Sequence, residues 1–273
     1  MKEAVSVAVL GAAGRMGRTI IRLLVDRAIE GLELKGAAEA DPVVLGRDAG
    51  KVAGCADCGV KIVSDVAAAA AEADVLIDFT QHTAAAKHAR AAADMRKPIV
   101  IGTTGLDDRD TAEIRQAAQQ VPVVLSPNMS LGVNLLFLLV RKVAGALKDK
   151  NYDVEIVEFH HRRKKDAPSG TALKLAEEVA VGSGWNPQEV LCFGRKGMVG
   201  QRPHTQIGIH AVRGGDIVGQ HTVIFAGEGE SLSLWHQATS RTAFGMGALR
   251  AARWIAGKAP GLYGMGHVLG LVE

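Results

Sequence analysis

The sequence predicts an α/β protein: a doubly wound parallel sheet, followed by a second, α+β domain with a mixed sheet. Three observations carry this. Short apolar runs alternate with amphipathic stretches through the first half of the chain, the pattern of repeated βαβ units. A glycine-rich turn joins the first apolar run to the first amphipathic stretch. After Leu125 the style changes to a long apolar helix and then to strands joined by glycine turns.

Residues 5–10 form a short apolar run, consistent with a buried parallel strand. Residues 18–29 then place Ile20, Ile21, Leu23, Leu24 and Ala28 near one face of a helix. Further strands are expected at 32–39, 75–79, 99–102 and 121–125, with helices at 83–95 and 108–119 and an alanine run at the start of a helix at 67–71. Residues 131–148 read as a very apolar helix, 153–160 as a strand and 171–181 as a helix. Arg213-Gly-Gly-Asp216 and Gly227-Glu-Gly-Glu230 carry hairpin turn chemistry, so residues 206–240 are expected to form an antiparallel or mixed sheet. Residues 242–256 return to helix.

Composition narrows the function classes. With 48% hydrophobic and 22% charged residues among 273, the chain can bury a core. A net charge of +3 argues against a dedicated nucleic-acid binder, which would show a broad basic face. The N-terminus lacks a signal-peptide core, and its apolar run stops at Gly11, far short of a membrane span, so a cytoplasmic location without membrane association is expected. Cys55 and Cys58 form a C-x-x-C, but no second pair of ligands lies nearby to complete a zinc site, and no metal is expected.

Gly11-Ala12-Ala13-Gly14-Arg15-Met16-Gly17 follows a strand and opens a helix. Small residues there let a pyrophosphate approach main-chain N–H groups at a helix N-terminus, as in a Rossmann-type dinucleotide site, although tight strand–helix turns also use glycine. Glu39 ends the next strand about 20 residues on, where an acid accepts hydrogen bonds from the ribose hydroxyls. Ala40 and Asp41 follow it, offering no cation to a 2′-phosphate, which tilts the cofactor toward NADH; Arg15 or Arg47 could still permit NADPH. Asp78-Phe-Thr80 and Gly102-Thr103-Thr104-Gly105 each follow a strand, so both fall at the carboxyl edge of the sheet where such folds bind ligands.

The segment from Glu155 to Thr171 is the most unusual in the chain. A strand delivers His160 and His161 into a cationic loop, Arg162-Arg-Lys-Lys165, before Asp166-Ala-Pro-Ser-Gly-Thr171 turns into a helix. A nucleic-acid patch would want aromatic neighbours, and a metal would want a third and fourth ligand; a merely solvated charge run stays open. The enzymatic reading uses more of the residues. Pro168 fixes the chain before a helix start whose N–H groups, with the Ser169 and Thr171 hydroxyls, suit a carboxylate. Gly170 allows close approach, the cations imply an anionic substrate, and the histidines and lysine supply proton donors.

Glu155-Ile-Val-Glu158, His160-His161, Lys164, Asp166 and Pro168-Ser-Gly-Thr-Ala172 together resemble the signature of the dihydrodipicolinate reductase family. The likeness runs essentially the whole length, through Ile77-Asp-Phe-Thr80, Asn128, Gly132-Val-Asn134 and Gly214-Gly-Asp-Ile-Val-Gly219. It implies a nucleotide-binding domain from residues 1–130 and 241–273, with a substrate-binding and tetramerisation domain from 131–240. It also implies NADH- or NADPH-dependent reduction of 4-hydroxy-tetrahydrodipicolinate (dihydrodipicolinate) to tetrahydrodipicolinate in lysine and diaminopimelate biosynthesis, by a homotetramer acting on a small dicarboxylate. Carried across, His160 is the implied proton donor or acceptor, Lys164 a proton donor, and His161 a substrate ligand, with Gly170 and Thr171 holding a carboxylate beside Ser169. Gly11 to Met16, Glu39, Gly102, Thr103, Thr104, Ser126, Pro127, Asn128 and Met129 would contact the nucleotide. Ala40 departs from the family, many of whose members carry an arginine there, and Pro127 and Met129 replace residues that are often smaller or aromatic.

Overall fold

The structure, a computed structural model, describes residues 4–272. In chain order the elements are β1 (Val5–Leu10), α1 (Arg15–Val25), β2 (Leu32–Ala38), α2 (Ala49–Ala53), β3 (Ile62–Val63), α3 (Val66–Ala70), β4 (Val75–Asp78), α4 (His82–Asp94), β5 (Ile99–Ile101), α5 (Asp108–Ala117), β6 (Pro122–Leu125) and α6 (Leu131–Leu147). They continue with β7 (Asp153–His160), α7 (Gly170–Ser183), α8 (Pro187–Val190), β8 (Leu191–Phe193), β9 (Ile207–Arg213), β10 (Gly219–Ala226), β11 (Ser231–Ala238), α9 (Thr242–Ile255), β12 (Gly261–Tyr263) and α10 (Met265–Val268). The contacts divide the chain into two compact units, Met1–Leu131 with Arg241–Glu273, and Gly132–Ser240.

The first unit is a seven-stranded parallel sheet in the order β12-β6-β5-β4-β1-β2-β3. Its central strands are mostly apolar because both faces are covered; the exceptions, Ser6 of β1 and Asp78 of β4, are buried. Val7 and Val9 of β1 pack on one side with Ile20, Ile21 and Leu24 of α1 and with Ala248, Leu249 and Ala252 of α9. Ala8 points the other way, among Ala85, Ala89 and Ala92 of α4 and Ile114 of α5. Each large aliphatic side chain buried this way contributes about 1.5–3 kcal/mol. Helix α1 begins at Arg15, three residues before the expected start, because Gly17 belongs to the helix: a Cβ there would stand 2.0 Å from the Gly11 carbonyl oxygen. It also stops short of residue 29, since Arg27 takes a left-handed φ of 52°.

The second unit is a mixed sheet, ordered β11-β10-β7-β9-β8, antiparallel from β11 to β7 and parallel from β7 to β8. Helices α6 and α7 cover one face, packing Phe137, Val140, Leu175 and Val179 on Val154, Ile156, Ile209 and Val223. Strand alternation puts Val157, Phe159, Thr222, Ile224 and Trp235 on the other face, in register across β7, β10 and β11, with Trp235 58% exposed.

One turn expectation is corrected. Gly227-Glu-Gly-Glu230 does close the β10–β11 hairpin, with Gly227 N–H donating to the Glu230 carbonyl at 2.9 Å. Arg213-Gly-Gly-Asp216 does not make a hairpin, because β9 and β10 lie on opposite sides of β7. Its glycines instead meet the loop that follows β7: Gly214 N–H donates to the His160 carbonyl at 2.9 Å, and Arg162 N–H to the Gly215 carbonyl at 3.2 Å.

Candidate active site

In the first unit, four of the expected nucleotide-binding segments follow β1, β4, β5 and β6, neighbours in the parallel sheet, so all four loops open at one edge. The glycine loop is shaped by its backbone. Gly11 sits at φ 79°, Gly11 and Ala12 both donate to the Ala38 carbonyl at 3.0 Å, and Gly14 N–H returns to Gly11. Gly14 is the N-cap of α1 and has no side chain to satisfy the first-turn N–H groups of Arg15, Met16 and Gly17. Glu39 lies against this loop, its carboxylate accepting from Ala13 N–H at 2.9 Å and Ala40 N–H at 2.8 Å. An uncapped helix start beside a carboxylate fits the pyrophosphate and ribose of a dinucleotide.

The segments after β4 and β5 are held from beneath by Asp78, which is fully buried at the end of β4. Its carboxylate accepts from Thr103 Oγ1 at 2.7 Å and from Thr80 N–H at 3.0 Å, and lies 2.5 Å from His88 Nδ1. Thr103 is thereby turned inward, leaving Thr104 exposed. Gly102 is required by contact: a Cβ would fall 2.3 Å from the Phe79 ring. After β6, Ser126 Oγ donates to the Asn128 carbonyl and Asn128 Oδ1 accepts from Ser130 N–H, which folds the turn on itself. Pro127 is exposed, whereas Met129 is buried in the core with Val9 and Leu249. Sequence reasoning named Asp78 only as part of a motif and missed His88 altogether; the spacing on α4 gives no signal that His88 points at a strand end.

In the second unit the sheet register assembles the other cluster. His160 closes β7, Arg213 stands beside it on β9, and His221 of β10 pairs with Glu158. Glu158, 0% exposed, accepts two bonds from Arg213 at 2.8 Å and one from Ser169 N–H at 2.9 Å, and lies 2.6 Å from His160 Nδ1. Burial alone would raise its pKa; bonds from His160, Arg213 and Ser169 outweigh that and hold it down at about 2.

Ser169 is the N-cap of α7, and its buried hydroxyl serves Ala172 N–H and His221 Nε2 at 3.2 and 3.1 Å. What the turn leaves outward is Gly170, exposed, and Thr171, partly exposed. Lys164 is paired with Asp166 at 2.9 Å, and its N–H donates to the His161 carbonyl, forming the tight turn of the cationic loop. Arg162, Arg163 and Lys165 are exposed. His221, 3% exposed, was not singled out by sequence: its ring meets His160 edge-on at 5.2 Å, and burial, reinforced by the His160 charge, pushes its pKa down to about 3. The Glu155 carboxylate, in contrast, faces the opposite side of the sheet and is bonded by Arg195, Arg202 and His210.

Cys55 and Cys58 lie half-buried beside α2 as free thiols, Cys58 Sγ accepting from Gly50 N–H at 3.2 Å. No group of three or more metal-ligating side chains occurs among the described residues, nor does a helix long and apolar enough to cross a membrane.

Comparison with known proteins gives a consistent outcome. The family described as dihydrodipicolinate reductase, N-terminus, matches residues 5–129, and that described as dihydrodipicolinate reductase, C-terminus, matches residues 132–269. The 4-hydroxy-tetrahydrodipicolinate reductase of Anaeromyxobacter dehalogenans (strain 2CP-C) is 53% identical over 266 residues, 97% of each chain. That of Syntrophus aciditrophicus (strain SB) is 50% identical over 263 residues, 96% of this chain and 97% of its own. Among solved structures, the dipicolinate-bound dihydrodipicolinate reductase from Paenisporosarcina sp. TG-14 superposes with a TM-score of 0.75 at 24% identity, covering 96% of this chain and 97% of its own.

Proposed function

The chain belongs to the dihydrodipicolinate reductase family, and from that premise we propose that it is a 4-hydroxy-tetrahydrodipicolinate reductase, an oxidoreductase that uses NADH or NADPH to form tetrahydrodipicolinate on the route to diaminopimelate and lysine. The observation that carries the reading is the single loop between β7 and α7. It begins at His160, holds Lys164 at its turn, and ends at a helix start where Gly170 and Thr171 face outward.

The bound nucleotide supplies a hydride for ring C4 of the substrate. The chain's own residues do the rest. Backbone N–H groups at Gly170 and Thr171, with the Thr171 hydroxyl, hold a carboxylate at the positive end of α7, and His161 adds a further substrate contact. His160 and Lys164 move protons as the 4-hydroxy precursor loses water and the reduced ring is completed. Glu39 receives the ribose hydroxyls, while Gly11 to Met16, Gly102 to Thr104 and Ser126 to Asn128 frame the nucleotide. Met129 supports that frame from the core.

The decisive assay supplies the product of dihydrodipicolinate synthase to the pure protein with NADH and NADPH in parallel. Oxidation of at least one is expected, and no oxidation of either would end the reading. NADH is the expected preference, because Glu39 with exposed Ala40 beside it offers acceptors to a diol and no cation to a phosphate. Glu39→Ala is expected to raise the KM for NADH about tenfold while changing that for NADPH less, the loss of a charged hydrogen bond. Equal changes would show that Glu39 does not discriminate.

A homotetramer working in the cytoplasm completes the proposal. Free Cys55, Cys58 and Cys192 are at home in a reducing compartment. The uncovered sheet face with Val157, Phe159, Ile224 and Trp235 is the surface on which subunits would pair. Sedimentation should give four chains for the native protein and fewer for Trp235→Glu; a native monomer would overturn the assembly.

A further inference from the structure

We propose that Glu158 is a positioning residue for the reaction, which sets the ring orientation and the proton-bearing nitrogen of His160 through its contact with Nδ1. The inference rests on the acid–base role proposed for His160 and adds a residue to which no role has been assigned.

Three contacts fix the ring. Glu158 Oε2 lies 2.6 Å from Nδ1, the His221 ring stands edge-on at 5.2 Å, and Gly219 lies beneath the opposite edge. A Cβ on Gly219 would come within 3.0 Å of His160 Nε2. Gly219 has no positive φ to explain it, so the room it leaves for the ring is what its lack of a side chain provides.

The carboxylate dictates the tautomer. An ionised carboxylate only accepts, so neutral His160 must carry its proton on Nδ1, leaving Nε2 bare to take or, once protonated, to return a proton. Arg213 is what makes this workable. Its two nitrogens each meet one Glu158 oxygen at 2.8 Å, so the buried carboxylate is paired with a guanidinium on both oxygens as well as with the ring. The same carboxylate takes Ser169 N–H at 2.9 Å, locking the start of α7 to the ring, so acid–base group and carboxylate-binding turn share one anchor.

Glu158→Gln has a defined consequence. Placing the amide oxygen where Oε1 stands keeps it with Ser169 N–H and Arg213 Nη2 and turns the NH₂ toward His160, where it opposes one donor, Arg213 Nη1. The reverse placement would set the NH₂ against two donors, Ser169 N–H and Arg213 Nη2. The first is favoured, and it donates to Nδ1, forcing the proton to Nε2. Turnover should fall roughly 100- to 10,000-fold, the scale of a wrong histidine tautomer, with NADH affinity unchanged.

The test is ¹⁵N NMR of the imidazole nitrogens of the full-length protein at about pH 9, where histidine is neutral, with His160 assigned by its loss in His160→Gln. Native protein should show protonated Nδ1 and bare Nε2, and Glu158→Gln the reverse, with a lower kcat. A native Nε2–H tautomer would overturn the proposal even if the variant failed to fold, and so would a folded variant with native tautomer and native kcat. The tautomer is read without substrate. If His160→Gln turned over normally, the acid–base reading would fail while the tautomer assignment stood.

Discussion

Lys164→Ala and His160→Gln are each expected to slow turnover about 100- to 10,000-fold, the usual worth of a positioned proton donor or acceptor, while leaving NADH affinity within about twofold, since both lie on the second unit's loop. Lys164 is part-buried and paired with Asp166, whose carboxyl is raised by burial but drawn below its ordinary range by that lysine. Removing the ammonium therefore takes away a proton donor without disturbing any element of the sheet. His160→Gln keeps a polar group of similar reach beside Glu158 but no imidazole to take and return a proton. Steady-state kinetics run beside a nucleotide fluorescence titration separate the two properties. Lost affinity with normal turnover would remove both residues from the chemistry. The double variant should lose little more than the worse single one, because groups that serve one proton path are not additive.

What the sequence made legible follows from the range of the forces involved. β1 and β7 were located to the residue because their patterns are strictly local: a short, mostly apolar run covered on both faces, and alternation along one strand with Val154 and Ile156 inward. The start of α1 was placed late because Gly17 looked like loop; its role is a close approach to the Gly11 carbonyl, which no local pattern reveals. Elements of two to five residues, such as β3, α2, β8 and β12, carry too little periodicity to announce themselves. The Gly214-Gly215 turn was misjudged for another reason: turn chemistry records a reversal of the chain but not that β7 will lie between β9 and β10. The same long-range pairing hid the support of the site. His160, Lys164 and Thr171 sit in one stretch of sequence and could be read together. Glu158 acquires its meaning only when β9 brings Arg213 and β10 brings His221 from more than fifty residues away.

That buried support should make the protein acid-sensitive from an unusually high pH. His221 stays neutral in the folded chain because burial, with the His160 charge next, lowers its pKa from 6.5 to about 3; Glu158 acts in the opposite sense, and His236 and Lys164 add smaller lowering contributions. The unfolded chain takes up that proton as pH falls through 6.5, so the folded state is fully favoured above 6.5 and loses ground toward 3. Glu155 and Glu158 are held at about 2 against an ordinary 4.5, so their contribution is complete above 4.5 and lost between 4.5 and 2. Stability should thus fall in two stages. Between pH 6.5 and 4.5 His221 sheds up to about 1.4 kcal/mol per pH unit, joined by His236, whose pKa burial also lowers; below 4.5 the two carboxylates steepen the fall. Urea unfolding at a series of pH values reads this directly. His221→Phe keeps a ring of similar size beside His160 and leaves the Ser169 cap on Ala172 N–H in place, so it should flatten the first stage and spare the second. A native midpoint that does not move between pH 7 and 5, or a His221→Phe curve parallel to the native one, would mean that His221 is not held neutral by its burial.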